Sequence, residues 1–259
     1  MVRYPEQIQG NQLQLITNNL AHELASSLVA IKSGVRGVKE YLPALLTAYE
    51  EATSHHLKVP AISLRHIHML SQALEFVERA AYCASLSVSM FAMNTSKIDK
   101  EKLLLVCCSI LDCLKEAVDL YPYRSESEKS CLVDAIQVKQ DFLFKGDRTF
   151  VVNLLMNLFK SIIYHIQDVG KGEIIIWTEV TEESHCLFIR DASNGFDQIQ
   201  QKEIFTPFHS FYKHDLGMGL FFCKQLMQAL GGDIICCSTE NHSTEFKIIF
   251  PTIDNNSKE

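Results

Sequence analysis

The apolar residues Ile16, Leu20, Leu24, Leu28, Ile31, Val35, Val38, Leu42 and Leu45 recur every three or four positions through the first fifth of this chain. Residues at that spacing share one face of a helix, so the pattern is the seam of a long packed helix. Residues 51–60, with His55, His56 and Pro60, interrupt it, and a second seam runs from Ile62 through Leu64, Ile67, Leu70, Leu74 and Val77 to Met90. Two antiparallel helices of that length expose more seam than one hairpin can cover. The expected arrangement is therefore a homodimer whose hairpins form a four-helix bundle. At Asn94-Thr95-Ser96 the texture changes, which divides the chain into a helical hairpin over residues 1–94 and a different module over 95–259.

With 259 residues, 47% of them hydrophobic, both modules can hold a core. The formal net charge of −7 and the lack of any Lys/Arg-rich run argue against a sequence-independent grip on nucleic acid. No apolar run approaches the roughly eighteen residues of a membrane span, and the opening MVRYPEQIQG lacks the sections of a signal peptide. A soluble, cytoplasmic protein with no membrane span is the expectation. The nine cysteines contain no CxxC spacing and sit mostly in apolar context, so they read as reduced core residues. His55-His56 and His66-x-His68 have no Cys or carboxylate partners at ligand spacing and read as ordinary surface or core histidines.

In the second module, residues 100–119 read as a helix, 124–130 (RSESEKS) as a charged loop, and 131–145 as one or two strands. A helix over 147–167 is capped by Asp147, strands follow at 173–180 and 185–191, and the latter ends in the turn Ala192-Ser193-Asn194-Gly195. A helix over 217–230 and strands around 233–238 and 245–250 close the chain. Strands and helices in this order, without a regular βαβ alternation, predict an α+β sandwich.

Three features of this module point to chemistry. On the 147–167 helix, Asn153, Asn157 and Lys160 stand at i, i+4 and i+7, so two amides and an ammonium share a face. Amide oxygens suit magnesium when substrate phosphates and waters complete its shell, and lysine offers phosphate a point charge. Asp191 places an acceptor carboxylate at a strand end, where a purine amino group can be read. Finally, IFTPFHSFY (204–212) forms an aromatic hinge through Phe205 and Phe208, just before Gly217 and Gly219 open an apolar helix. Backbone amides bared by small residues at a helix N-terminus favour an anion.

Asn153-x-x-x-Asn157-x-x-Lys160, Asp191-x-Ser-x-Gly195, Ile204-Phe205-Thr206-Pro207-Phe208 and Gly217-x-Gly219-Leu220 resemble, in this order, the asparagine, first glycine, phenylalanine and second glycine boxes of the sensor histidine kinases. Their ATP-binding domain is grouped with the gyrase- and Hsp90-like ATPases. Ala21-His22-Glu23-Leu24 followed by Ala25-Ser26-Ser27-Leu28 is similar to that family's histidine box. His22 lies two residues from both Leu20 and Leu24, roughly 200° around the helix, so it points away from the seam. More loosely, GVKEYLPALLTAYEEA resembles the sensor kinases that respond to α-hydroxyketone signals in quorum sensing.

The resemblance implies an ATP- and Mg2+-dependent protein histidine kinase of a two-component system. Adenine would sit against Asp191, with Gly195 allowing close approach; Asn157, aided by Asn153, would bind Mg2+; Lys160 and the amides from Gly217 to Leu220 would hold the phosphates. His22 would be the nucleophile and Glu23 its proton partner, with Ser26 positioned for removing phosphate from the response-regulator receiver domain that accepts it. Ala25, Ser26 and Ser27 replace the family's usual box residues, Ser193 replaces a glycine, Ser161 stands where tyrosine is common, and only about eight residues separate Phe208 from Gly217 as an ATP lid. These departures leave an alternative reading, a degenerate dimeric scaffold or phosphotransfer protein that binds a regulator without efficient ATP use. An ATPase driving conformational work would want a glutamate where Asn153 stands.

Overall fold

The computed structural model describes residues 4–93, 103–170, 172–210, 217–240 and 242–252. Contacts divide the chain into two units, the first ending at Ala92 and the second beginning at Met93.

The first unit is a helical hairpin. Helix α1 runs Tyr4–Ser54, about 77 Å at 1.5 Å per residue, and continues through Pro43, which can donate no backbone hydrogen bond. It extends into the stretch expected to break the seam. The break comes instead at His55-His56, where His56 takes a left-handed conformation (φ 56°). Tyr49 then ties down the connection, its hydroxyl accepting from the Ile62 N–H (2.8 Å) and donating to the Pro60 carbonyl (3.0 Å). Helix α2 spans Leu64–Met93. Two cross-links show that it returns antiparallel to α1: Lys39 pairs with Glu78 at 2.7 Å, and the Lys32 ammonium lies 5.3 Å from the centre of the Tyr82 ring.

The apolar seam of α1 resolves into two heptad stripes. Ala21, Leu28, Val35 and Leu42 are buried or half-buried, whereas Leu24, Ile31, Val38 and Leu45 are 45–65% exposed. Met69, Leu70, Phe76 and Val77 add exposed apolar surface on α2.

The second unit is an α+β sandwich. Strand β1 (Val106–Ser109) pairs antiparallel with β2 (Leu143–Gly146), Val106 opposite Gly146. The helix expected over 100–119 thus begins only at α3 (Ile110–Leu120), capped by the Ser109 hydroxyl, which accepts from the Asp112 N–H at 3.1 Å. The apolar run LLLVCCSIL fits both periods, and pairing with β2 decides for a strand. The charged loop expected over 124–130 is corrected, and of the one or two strands expected over 131–145 β2 forms at the far end while the start is helical. Helix α4 spans Glu126–Asp134, started by Ser125, whose hydroxyl accepts from the Glu128 N–H at 3.2 Å. Beyond it, Ile136 makes a single parallel bridge to Ile176.

Helix α5 (Arg148–Val169) is capped by Asp147 and ended by Gly170 at φ 76°. A hairpin of β3 (Ile174–Val180) and β4 (His185–Asp191) follows, then the short α6 (Gln198–Glu203), α7 (Gly219–Ala229), β5 (Asp233–Thr239) and β6 (Ser243–Phe250). The four strands form one antiparallel sheet in the order β3-β4-β6-β5, with Asp191 registered against Ile174 and Thr244. Strand β6 alternates strictly, burying Thr244, Phe246, Ile248 and Phe250. Helix α5 packs between α3 and α7, and its Leu154, Leu155, Leu158 and Ile162 are at most 1% exposed. By length and composition α5 could cross a bilayer, yet most of it is buried inside this unit, so it serves as the core helix.

Candidate nucleotide site

The polar face of α5 extends further than its asparagines. Asn153, Asn157, Ser161 and His165 step along it at four-residue intervals, which keeps them on adjoining parts of one face. Asn153 is buried, and the Asn157 amide nitrogen donates to the Asn153 backbone carbonyl (3.0 Å) and side-chain oxygen (3.4 Å). Those bonds turn Asn157 Oδ1 toward the start of α7, where a Cβ on Gly219 would stand 2.8 Å from it. Of the two expected metal ligands, the structure thus brings Asn157 to the cavity and places Asn153 behind it as the group that orients it.

An open cleft lies at this junction. Helix α5 contributes Asn157, Lys160 and Ser161, the segment after β4 contributes Phe196, and Ile204, His209, Ser210, Gly217, Gly219 and Leu220 complete the lining. Gly217 has φ 66°, and a Cβ there would sit 2.2 Å from the His209 carbonyl oxygen. Only glycine permits that approach. The two ends of the expected lid are therefore held together at its base, while residues 211–216, on which its shortness was argued, lie outside the described residues. Among the described residues no side chain caps α7, which leaves its first backbone N–H groups to an anion. The Lys160 ammonium rests 5.6 Å from the centre of the Tyr164 ring, whose hydroxyl accepts from Arg124 at 2.8 Å.

Behind Phe196 lies a buried polar cluster. Asp191 is fully buried, and its Oδ1 accepts from the Ser193 backbone N–H (3.2 Å) and from the Ser193 hydroxyl. His165 Nδ1 lies 3.0 Å from the Ser193 hydroxyl oxygen and 3.5 Å from Asp191 Oδ1, and its ring stacks on Phe196 with centroids 4.6 Å apart. Asp191 Oδ2 has no hydrogen-bond partner among the described residues. A buried acceptor left unpaired costs about 1–3 kcal/mol, which a ligand donor would recover. An exocyclic amine fits that requirement.

The remaining expected site residues fall in different places. Leu220, Gly219, Gly217, Lys160 and Asn157 meet at the cavity. Gly195 (φ 65°) packs elsewhere, since a Cβ there would lie 2.2 Å from the Thr239 carbonyl oxygen; its close approach is to the β5–β6 hairpin. Phe208 is 73% exposed, in a left-handed conformation (φ 61°), and does not line the cavity. In the hairpin unit, His22, Glu23 and Ser26 are all exposed, as expected of His22. The Ser26 hydroxyl donates to the His22 carbonyl at 3.0 Å, a back-bond within the helix. Ser161, His165, Phe196 and His209 were not anticipated. Continuation of the four-residue step was the available signal for the first two.

Residues 146–254 match the family described as histidine kinase-, DNA gyrase B- and HSP90-like ATPase. Fold and site thus define a nucleotide-binding domain of that class. Over 239 residues the chain is 27% identical to the CAI-1 autoinducer sensor kinase/phosphatase CqsS of Vibrio cholerae, covering 92% of this chain and 33% of that protein. Over 250 residues it is 24% identical to the autoinducer 1 sensor kinase/phosphatase LuxN of Vibrio campbellii, covering 95% and 27% respectively. Together these matches support a sensor histidine kinase catalytic core, and the chain spans about a third or less of the length of these curated relatives. Full-length ShkA, solved in complex with AMPPNP, shares the fold at a TM-score of 0.51 and 16% identity, over 92% of this chain and 46% of that one.

Proposed function

We propose that this chain is an ATP-dependent protein histidine kinase that phosphorylates its own His22 and passes the phosphoryl group to an aspartate of a response-regulator receiver domain. The observation that carries the reading is the buried Asp191, with one carboxylate oxygen saturated and the other unpaired, linked through His165 and Phe196 to a cavity lined by Asn157, Lys160 and the glycine turn. A purine amino group answers the first feature and a polyphosphate the second.

In this reading Lys160 and the free amides at the start of α7 hold the phosphates. Asn157 Oδ1 is the residue to hold Mg2+, oriented by Asn153, and the ion would neutralise phosphate charge there. His22, exposed on its helix, attacks the γ-phosphorus through a ring nitrogen: an N–P bond forms, the bond to the β–γ bridging oxygen breaks, and ADP leaves. Glu23 orients the imidazole or takes the proton from its other nitrogen. The N–P bond is then exchanged for an O–P bond on the receiver aspartate. Both relatives are named as kinase and phosphatase. For the phosphatase reaction Ser26 stands one turn from His22, and its hydroxyl must leave the His22 carbonyl to orient a water.

The exposed heptad of Leu24, Ile31, Val38 and Leu45 supports a homodimer in which two hairpins cover each other's stripes. Use of ATP accords with a cytoplasmic location. Incubation of the full chain with γ-labelled ATP is expected to give acid-labile, base-stable label that is absent from His22→Ala and Asn157→Ala. Wild type that takes up no label but binds a receiver domain tightly would return the scaffold reading.

A further inference from the structure

A carboxylate that reads an amine must present one particular oxygen, yet the terminal torsion of aspartate is broad and roughly two-fold, so its two oxygens readily exchange places. The surroundings of Asp191 remove that freedom. We propose that His165 and Ser193 are positioning residues that fix which oxygen of Asp191 faces the purine 6-amino group, and so set selectivity for adenine. This rests on the reading of the cavity as an ATP site.

The proton count determines the direction of the cluster. A serine hydroxyl carries one proton, and Ser193 gives it to Asp191 Oδ1, because a carboxylate oxygen can only accept. Its contact with His165 Nδ1 at 3.0 Å must then be one in which serine accepts, so His165 bears its proton on Nδ1. The relay runs from the His165 N–H to the Ser193 hydroxyl to Asp191 Oδ1, and the Ser193 backbone N–H adds a further donor to the same oxygen at 3.2 Å. This direction also excludes Ser193 as a nucleophile with His165 as its base, because the hydroxyl proton points at the carboxylate.

Oδ1 is thereby occupied and Oδ2 left with no partner among the described residues. Three constraints keep it so. His165, Ser193 and Asp191 are 7%, 4% and 0% exposed, so water does not compete freely. The His165 ring is stacked against Phe196, nearly parallel to it at 7° between the ring planes. Phe196 in turn lines the cavity, which ties the relay to its wall. An adenine amino group would donate to Oδ2; a 6-carbonyl would set two acceptors against each other, and a 6-hydrogen would leave Oδ2 orphaned.

The test is equilibrium binding by the full chain, with Mg2+, of ATP, of purine riboside triphosphate (hydrogen in place of the amino group) and of inosine triphosphate. The readout is the ratio of affinities for ATP and the 6-hydrogen analogue, which a merely structural role does not move. Wild type is expected to prefer ATP by about 10- to 100-fold. His165→Phe keeps the stacked ring but removes the donor, and Ser193→Ala breaks the relay; each is expected to reduce the ratio about tenfold, a coupling of ordinary size for groups in one network. His165→Asn, whose amide N–H lies close to the place of Nδ1–H, is expected to restore most of it. Inosine triphosphate is expected to bind wild type more weakly than either. Variants that bind ATP less tightly but keep the wild-type ratio would overturn the positioning role while leaving the ATP site standing. A wild type that binds ATP and the 6-hydrogen analogue equally would do the same. No binding of either nucleotide by wild type would overturn the site itself.

Discussion

Gly219→Ala separates the site from the fold. The added Cβ would sit 2.8 Å from Asn157 Oδ1 and 3.3 Å from its Cγ, whereas a comfortable heavy-atom contact needs about 3.5 Å. Asn157 cannot simply swing aside, because its amide nitrogen is tied to the Asn153 carbonyl at 3.0 Å. The backbone itself tolerates alanine, since Gly219 opens α7 without a positive φ. Helix propensity then favours the variant by up to about 1 kcal/mol, while overpacking costs about 1–3 kcal/mol, so net stability falls by no more than about 3 kcal/mol. Nucleotide binding has no such compensation. A displacement of Asn157 by several tenths of an ångström is expected to weaken Mg·ATP by roughly 10- to 100-fold, or about 1.4–2.7 kcal/mol. Isothermal titration beside a thermal melt measures both quantities. On an Asn157→Ala background the same change should cost nothing further, because the oxygen it strikes is gone. Binding within twofold of wild type, or losses that add in the double variant, would refute the proposed contact between α5 and α7.

Other consequences are open to simpler assays. Ile31→Glu combined with Leu45→Glu, two changes on the same exposed stripe, should turn a dimer into a monomer by light scattering at micromolar concentration; unchanged mass would remove the exposed heptad from the dimer interface. Phe246→Ala, in the middle of β6, should cost about 3–5 kcal/mol in denaturant unfolding. The Lys39 ammonium beside Glu78 holds that carboxyl below its ordinary value, so the pair adds stability that is present at neutral pH and lost as pH falls through the Glu78 titration. Because the pair is partly exposed, Glu78→Gln should cost only about 0.5 kcal/mol at pH 7 and nothing once Glu78 is protonated. Burial pushes the Cys113 thiol up to about 12, so iodoacetamide at pH 8 should modify the exposed Cys107 and Cys237 well before it.

The parts of this molecule that were legible in its sequence are those specified locally. Asp147 and Gly170 bound α5 through cap chemistry that acts within one turn, and the spacing of Asn157 and Lys160 fixes a shared face once the helix is granted. The strand at 106–109 was not legible, because VCCS inside an apolar run suits either period until β2 pairs with it. Helix α4 was hidden by its charges, although Ser125 and Glu128 stand at capping-box spacing. The seam of α1 read as one stripe, since which of its heptads is covered depends on where α2 lies. The cluster at Asp191 is a tertiary product: 28 residues separate His165 from Ser193, and no local pattern announces their contact. The close approach of Gly195 to the carbonyl of Thr239 is likewise tertiary, set by the β5–β6 hairpin.

Locating the phosphoryl group tests the account most directly. The full chain, incubated with Mg·ATP and digested at neutral to alkaline pH to preserve phosphohistidine, can be mapped by tandem mass spectrometry. The account predicts one phosphoryl group, on the peptide containing Ala21 to Leu24 and assigned to His22, and none in Asp191→Asn. An unmodified chain, or a phosphoryl group on Ser26 or another histidine with His22 bare, would contradict it.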